Sequence, residues 1–238
     1  MKAIVLCAGY ATRLYPLTLN KPKPLLEVKG RPLLDYIIDN IEKIADINEI
    51  FIATNNKFFN DFSKWKNSRT FKKKIFVIND MTISNEDRLG GMGDLDFVVS
   101  NKEIDDDILV VLGDNYFEFD LNDAVEFFKK RSGCVLAIKD VGNLENAKRF
   151  GVVKAENGKI ISFVEKPQNP DSSFVSAGIY IFPRKDIVLI KEYMKTELPK
   201  DGPGFLIHYL LKSHDVFAFP LKGFWHDIGD VKTHEKLK

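Results

Sequence analysis

Apolar positions along this chain fall into two alternating patterns. Short continuous runs at "KAIVLC" (2–7), "INEIFIAT" (47–54), "KKIFVIN" (73–79) and "DILVVLGD" (107–114) show no polar face, as expected of strands buried on both sides of a parallel sheet. Between the first two, "PLLDYIIDNIEKI" places Leu34, Ile37, Ile38, Ile41 and Ile44 at helical spacing behind Pro32, which predicts a helix with one apolar face. "KFFNDFSKWK" and "GDLDFVVSNK" predict two more helices. Strand and helix alternate, so the pattern predicts an α/β fold with an open, mostly parallel sheet and helices on its faces.

The pattern changes in the second half. "FGVVKAENGKIISFVEKP" reads as two strands around Asn157-Gly158, the favoured type I′ hairpin signal. "SFVSAGIYIF" predicts another strand, two helical stretches follow, and "VFAFPL" gives a last strand. No linker, repeat or low-complexity segment interrupts the chain. We therefore expect a single domain over 1–238, with 1–132 shaped mainly for a nucleotide and 133–238 adding an accessory lobe.

Composition narrows the partners. With 35 Lys+Arg against 34 Asp+Glu the formal charge is +1, so the chain lacks the global basic footprint of a protein that binds duplex DNA or anionic membrane. Neither nucleic acid nor membrane is expected as a partner, and any cationic function must be local. Cys7 and Cys134 both lie in apolar runs, which predicts buried reduced thiols in a cytoplasmic protein. Oligomeric state, monomer or homodimer, cannot be read from these residues.

The local chemistry begins in "AGYATRLYPLTLNKPKPLL". In an open α/β sheet the carboxyl ends of strands line the ligand crevice, so the loop from Ala8 onward belongs at the active edge. Ala8, Gly9 and Ala11 are small enough for backbone N–H groups to approach an anion, while Arg13 and Lys23 add positive charge. No Gly-Lys-Ser/Thr and no Gly-x-Gly-x-x-Gly occurs, so neither common nucleotide fingerprint applies.

The spacing of Gly9, Thr12, Arg13, Leu14, Pro16, Thr18, Pro22 and Lys23 resembles the Gly-x-Gly-Thr-Arg-Leu-x-Pro-x-Thr…Pro-Lys loop of the nucleotidyltransferases that make nucleoside-diphosphate sugars. Ala11 stands where that family usually has its second glycine. The resemblance implies a Rossmann-like three-layer α/β/α nucleotidyltransferase fold with a mostly parallel mixed central sheet and a small accessory sugar-binding lobe. It further implies that Leu6, Ala8, Gly9, Tyr10, Ala11 and Thr12 hold the nucleotide, with Arg13 on the departing pyrophosphate and Lys23 near the α-phosphate as the catalytic pair.

Later segments resemble the same family. "VVLGDN" and "FWHDIGD" supply Asp114 and Asp227 as the implied magnesium ligands. "FVEKP" supplies Glu165 and Lys166 for sugar hydroxyls and sugar phosphate, with Gly151 in "RFGVV" and Ser176 and Gly178 in "VSAGIY" lining the same subsite. Ser176 replaces a frequent asparagine, whose reach a hydroxyl lacks. Gly90 and Gly93 in "RLGGMGDL" occupy the place of a glycine-containing stretch that lies against the base. Asp230 is expected to cap the final helix. The chain ends soon after "WHDIGD", so no C-terminal β-helix domain is expected.

The function implied is magnesium-dependent nucleotidyl transfer from a nucleoside triphosphate to a sugar 1-phosphate, releasing pyrophosphate. Thymidylyl, uridylyl, cytidylyl and guanylyl transfer all stay open, as does a non-sugar acceptor such as an inositol or choline phosphate. Two rivals stand beside it: a catalytically silent nucleotide-sugar-binding regulatory protein, and a glycosyltransferase using "DDD" at Asp105–Asp107. Those aspartates precede a strand, at the edge opposite the loop.

Overall fold

The computed structural model describes residues 1–235 and 237. In chain order the first half contains β1 (Lys2–Leu6), β2 (Glu27–Val28), β3 (Arg31–Pro32), α1 (Leu33–Glu42), β4 (Glu49–Thr54), α2 (Phe59–Asn67), β5 (Lys74–Asn79), α3 (Gly90–Asn101), β6 (Ile108–Leu112), β7 (Asn115–Phe117) and α4 (Leu121–Lys129). The second half contains β8 (Cys134–Asp140), α5 (Leu144–Ala147), β9 (Gly151–Glu156), β10 (Lys159–Glu165), β11 (Phe174–Phe182), α6 (Ile187–Met194), α7 (Gly204–Leu210), β12 (Val216–Pro220), β13 (Trp225–Asp227) and α8 (Val231–Glu235).

The pleat of β1 explains the layering. Ala3, Val5 and Cys7 point into one core with Ile37, Ile38, Ile41, Phe62, Trp65 and Val125, from α1, α2 and α4. Ile4 and Leu6 point into the other, against Met92, Leu95, Ile190, Leu206 and Ile207, from α3, α6 and α7. Continuous apolar strands are what such double burial requires, and each fully buried isoleucine contributes about 1.5–3 kcal/mol relative to exposure.

The large sheet runs β5-β4-β1-β6-β11-β8-β12-β10-β9. Its first part is parallel, with β4 and β6 both in register beside β1 and β5 beside β4. Its second part departs from the expected mostly parallel arrangement. β11 runs antiparallel to β6, β8 and β9, and β10 antiparallel to β9 and β12, leaving β8–β12 as a parallel pair. The sheet does not stay open there. Val175 of β11 pairs with Val152 of β9, so β11, β8, β12, β10 and β9 close into a five-strand ring.

β11 makes this possible through an irregularity between Ser176 and Tyr180, where Gly178 takes φ +71°. A Cβ at Gly178 would lie 2.5 Å from Nδ2 of Asn115, so both the backbone conformation and the space demand glycine. After that bend β11 pairs with β6 and β8, and before it with β8 and β9. Hydrophobic alternation reports faces, not which strand lies alongside, so closure was invisible in the pattern.

Several local expectations hold. Asn157 and Gly158 both have positive φ, as a type I′ turn requires. Both cysteines are buried and free. Oδ1 of Asp230 accepts from the backbone N and the hydroxyl of Thr233 at the start of α8. No helix among the described residues is long and apolar enough to cross a membrane.

Candidate active site

β1 and β6 are in register, Leu6 beside Leu112, so both strands deliver their carboxyl ends to one edge. The loop after β1 is pinned at its root: Cys7 N donates to Ala53 O, Gly113 N to Leu6 O, and Asn55 Nδ2 to Ala8 O, all within 2.9 Å. Ala11 then takes the left-handed conformation, φ 49° and ψ 43°, and its carbonyl accepts from the fully buried Thr18 hydroxyl at 2.8 Å. The alanine thus follows the path that the missing glycine would allow, at a conformational cost a glycine would not incur. A 3-10 turn over Thr12–Leu14 follows, with Arg13 exposed on it.

Pro22 opens a second 3-10 turn, Lys23–Leu25, which carries Lys23 inward until the residue is only 8% exposed. Its Nζ lies 3.0 Å from Asp114 Oδ2 and 3.9 Å from Asp227 Oδ1. Asp227 is brought there by a short antiparallel pair: β13 runs against β7 with Asp227 opposite Asn115, and Ile228 N donates to Asp114 O. Burial, then the neighbouring Asp114 charge, push the Asp227 carboxyl up to about 6, while Lys23, Arg149 and Lys166 act in the opposite direction.

Two carboxylates crowded together favour a hard divalent cation between them. Among the described residues no group of three or more His, Cys, Asp or Glu is assembled for a metal. A pair of carboxylates with phosphate and water completing the shell is the arrangement magnesium takes when it binds alongside substrate, so Asp114 and Asp227 fit that ion.

The opposite wall comes from the ring. Glu165 pairs with Gly151 across β10 and β9. The next residue, Lys166, adopts φ 45°, its N donates to Phe150 O, and its Nζ stands 3.2 Å from Glu165 Oε1. Ser176 Oγ meets the Tyr180 hydroxyl at 3.1 Å and accepts from Gly178 N at 3.3 Å.

Together these walls enclose a cleft of about 660 Å³ that brings Gly9, Tyr10, Ala11, Thr12, Arg13, Lys23, Asp114, Gly151, Glu165, Lys166, Ser176, Gly178 and Asp227 to one place. A smaller cavity of about 280 Å³ adjoins it, shares Lys23 and Asp114 with it, and adds Leu6, Ala8, Gly90 and Gly91. Gly90 has φ +77°, and a Cβ there would lie 2.5 Å from Lys200 O. Gly93 lines neither cavity. It lies in the first turn of α3, where a Cβ would approach Leu89 Cβ to 2.7 Å, so its smallness serves packing.

Three participants escaped the sequence reading. Arg149 lines the cleft beside Gly151 and pairs with Asp230 at 3.2 Å. Tyr180 lines it on the same strand face as Ser176 and Gly178, which period-two counting along β11 would have found. Asp94 forms part of the smaller cavity. At the other edge, Asp105 pairs with Arg184 and Asp106 with the amino terminus at 2.9 Å, so the "DDD" run stabilises the strand starts, away from the cleft.

A mixed α/β sheet with a cationic small-residue loop, two converging carboxylates and a deep cleft at the strand ends defines a phosphate-handling transferase site. The chain belongs to the nucleotidyl transferase family, whose sequence profile it matches over residues 2–237. It is 35% identical over its full length to a candidate mannose-1-phosphate guanyltransferase of Sulfolobus acidocaldarius, covering 62% of that protein. It is 36% identical over 96% of its length to the bifunctional protein GlmU of Methanocaldococcus jannaschii, covering 51% of it. The chain therefore spans between about half and three-fifths of these relatives. Among solved structures, a candidate glucose-1-phosphate thymidylyltransferase of Bacillus anthracis in complex with sucrose superposes with a TM-score of 0.84 at 28% identity, covering all of this chain and 93% of that one.

Proposed function

We propose that this protein transfers a nucleotidyl group from a nucleoside triphosphate to a sugar 1-phosphate, with magnesium, releasing pyrophosphate. The observation that carries the reading is the position of Lys23 between Asp114 and Asp227, with Arg13 and Lys166 on opposite walls of the same cleft. Both substrates are polyanions, and their mutual repulsion is the main obstacle to in-line attack. Three cations answer it, and a carboxylate positions the acceptor. Arg13 takes the charge that builds on the leaving pyrophosphate, Lys23 holds the α-phosphate, Lys166 draws in the acceptor phosphate, and Glu165 orients the sugar hydroxyls.

Asp114 and Asp227 would hold the magnesium, which when bound supplies charge neutralisation of the phosphate oxygens. No general base is needed, because a phosphate monoester is already largely ionised near neutral pH. The names of the Sulfolobus and Bacillus relatives favour a hexose 1-phosphate over an inositol or choline phosphate as acceptor.

The test is pyrophosphate release by purified protein with magnesium over a grid of nucleoside triphosphates and sugar, inositol and choline phosphates. We expect one dominant pair, abolished in Asp114→Ala. Triphosphate binding without release for any pair would favour the silent regulatory alternative.

A further inference from the structure

The smaller cavity is lined by one member of an ionisable pair that phosphate chemistry does not use. Asp94, on α3, lines this cavity beside Gly90 and Gly91 and is only 6% exposed. Its Oδ1 is fully buried and receives no hydrogen bond from any donor among the described residues. The group in hydrogen-bonding contact with it is another carboxyl, Asp80, which is 5% exposed just beyond the end of β5. Two carboxylates occupy such a place only with a proton between them.

The surroundings decide which of the two keeps that proton. Oδ1 of Asp80 already accepts from the backbone N of Thr82 at 2.7 Å and from its hydroxyl at 2.8 Å, which stabilises its charge. Asp94 has no such donors, and burial followed by the Asp80 charge pushes its carboxyl up to about 8. Asp94 is thus the neutral acid. It spends its one proton on Asp80, and its remaining hydrogen-bonding capacity toward the cavity is that of a carbonyl acceptor.

Resting on the reading of the protein as a nucleotidyltransferase, we propose that Asp94 accepts an N–H from the edge of the nucleobase and thereby sets which nucleoside triphosphate is preferred. The cavity's position suits a base: it adjoins the larger cleft at Lys23 and Asp114, and its walls are the end of β1 and the glycines at the head of α3. A flat ring lies against such small-residue backbone, and an acceptor at the wall then reads its edge. The pair is also tied to the phosphate loop, because the Thr82 hydroxyl that bonds Asp80 stands 3.3 Å from the Tyr10 hydroxyl.

Calorimetric binding of ATP, GTP, CTP, UTP and dTTP to wild type, Asp94→Ala and Asp94→Asn tests this. Asparagine copies the neutral acid, donating its amide to Asp80 and leaving a carbonyl for the base. We expect Asp94→Ala to narrow the preference for the best nucleotide by about tenfold, the worth of one such hydrogen bond, while Asp94→Asn keeps it. An unchanged preference in Asp94→Ala overturns the assignment, and its loss in both variants overturns the neutral form of Asp94. On the wild-type chain, the preferred nucleotide methylated at its edge nitrogen should bind about tenfold more weakly; equal binding overturns the proposal without any variant. Equal binding of all five nucleotides by wild type also rejects base reading while leaving the transferase intact, whereas no binding of any nucleotide rejects the transferase reading itself.

Discussion

The ammonium of Lys23 lies 3.0 Å from the Asp114 carboxylate although the two residues are 91 positions apart in the chain. The contact joins a loop from the end of β1 to the second residue beyond β6, and Asp227 completes it from a third direction. One cation there faces two carboxylates. Removing it leaves their repulsion uncompensated and, in the function proposed above, takes a fixed positive charge away from the α-phosphate.

For Lys23→Ala we therefore expect turnover at saturating substrates to fall by about 10²- to 10³-fold, the range for losing one preorganised charge-stabilising group. Steady-state kinetics with magnesium checks it. Unchanged turnover would restrict Lys23 to a structural role.

The Lys166 side chain is 57% exposed and held at a positive φ on the ring side of the cleft. Its truncation to alanine should raise the Michaelis constant for the sugar phosphate by about 10- to 100-fold, as loss of a charge-assisted hydrogen bond does. The constant for the nucleotide should stay the same. A nucleotide effect as large as the sugar-phosphate effect would move Lys166 out of the acceptor subsite.

Ala11 carries a left-handed backbone with a Cβ present. Ala11→Gly should relieve about 1–2 kcal/mol of conformational cost, against about 0.4–1 kcal/mol of added unfolded-state entropy. A net stabilisation of up to about 1.6 kcal/mol is expected from urea unfolding, in contrast to the usual effect of inserting glycine. Destabilisation would show that the loop does not hold this conformation in solution.

The Asp80–Asp94 pair also makes stability depend on pH. The Asp94 carboxyl is raised to about 8 in the folded chain, so between about pH 4 and pH 8 the folded state binds a proton that the unfolded state has released. This contribution is complete below the unfolded carboxylate range and is lost as pH rises through about 8. Denaturation midpoints should reveal a downward slope across that interval that is flatter in Asp94→Asn than in wild type. Identical slopes would place the proton elsewhere.

Much of this protein was written locally. The run "KAIVLC" determined a strand buried on both faces, because only an all-apolar segment tolerates cores on either side, and Ala3 and Ile4 do face different cores. The Asn157-Gly158 turn and the Asp230 cap followed from backbone chemistry confined to a few residues. That Gly9, Ala11, Arg13 and Lys23 of the loop after β1 gather at one edge was legible as well, since they lie within a short stretch of chain, and all four line the cleft.

Relationships between distant segments were decided by the tertiary structure alone. Side-chain alternation records which face is buried and is silent on lateral neighbours, so the Val175–Val152 pairing that closes the ring could not be read from it. Gly93 looked like a ligand-facing glycine because close packing against Leu89 and close approach to a base demand the same residue. Nothing in the local sequence marks Asp80 and Asp94, 14 positions apart, as partners. Only the fold buries them together, where the cost of desolvating two charges pushes both carboxyls up.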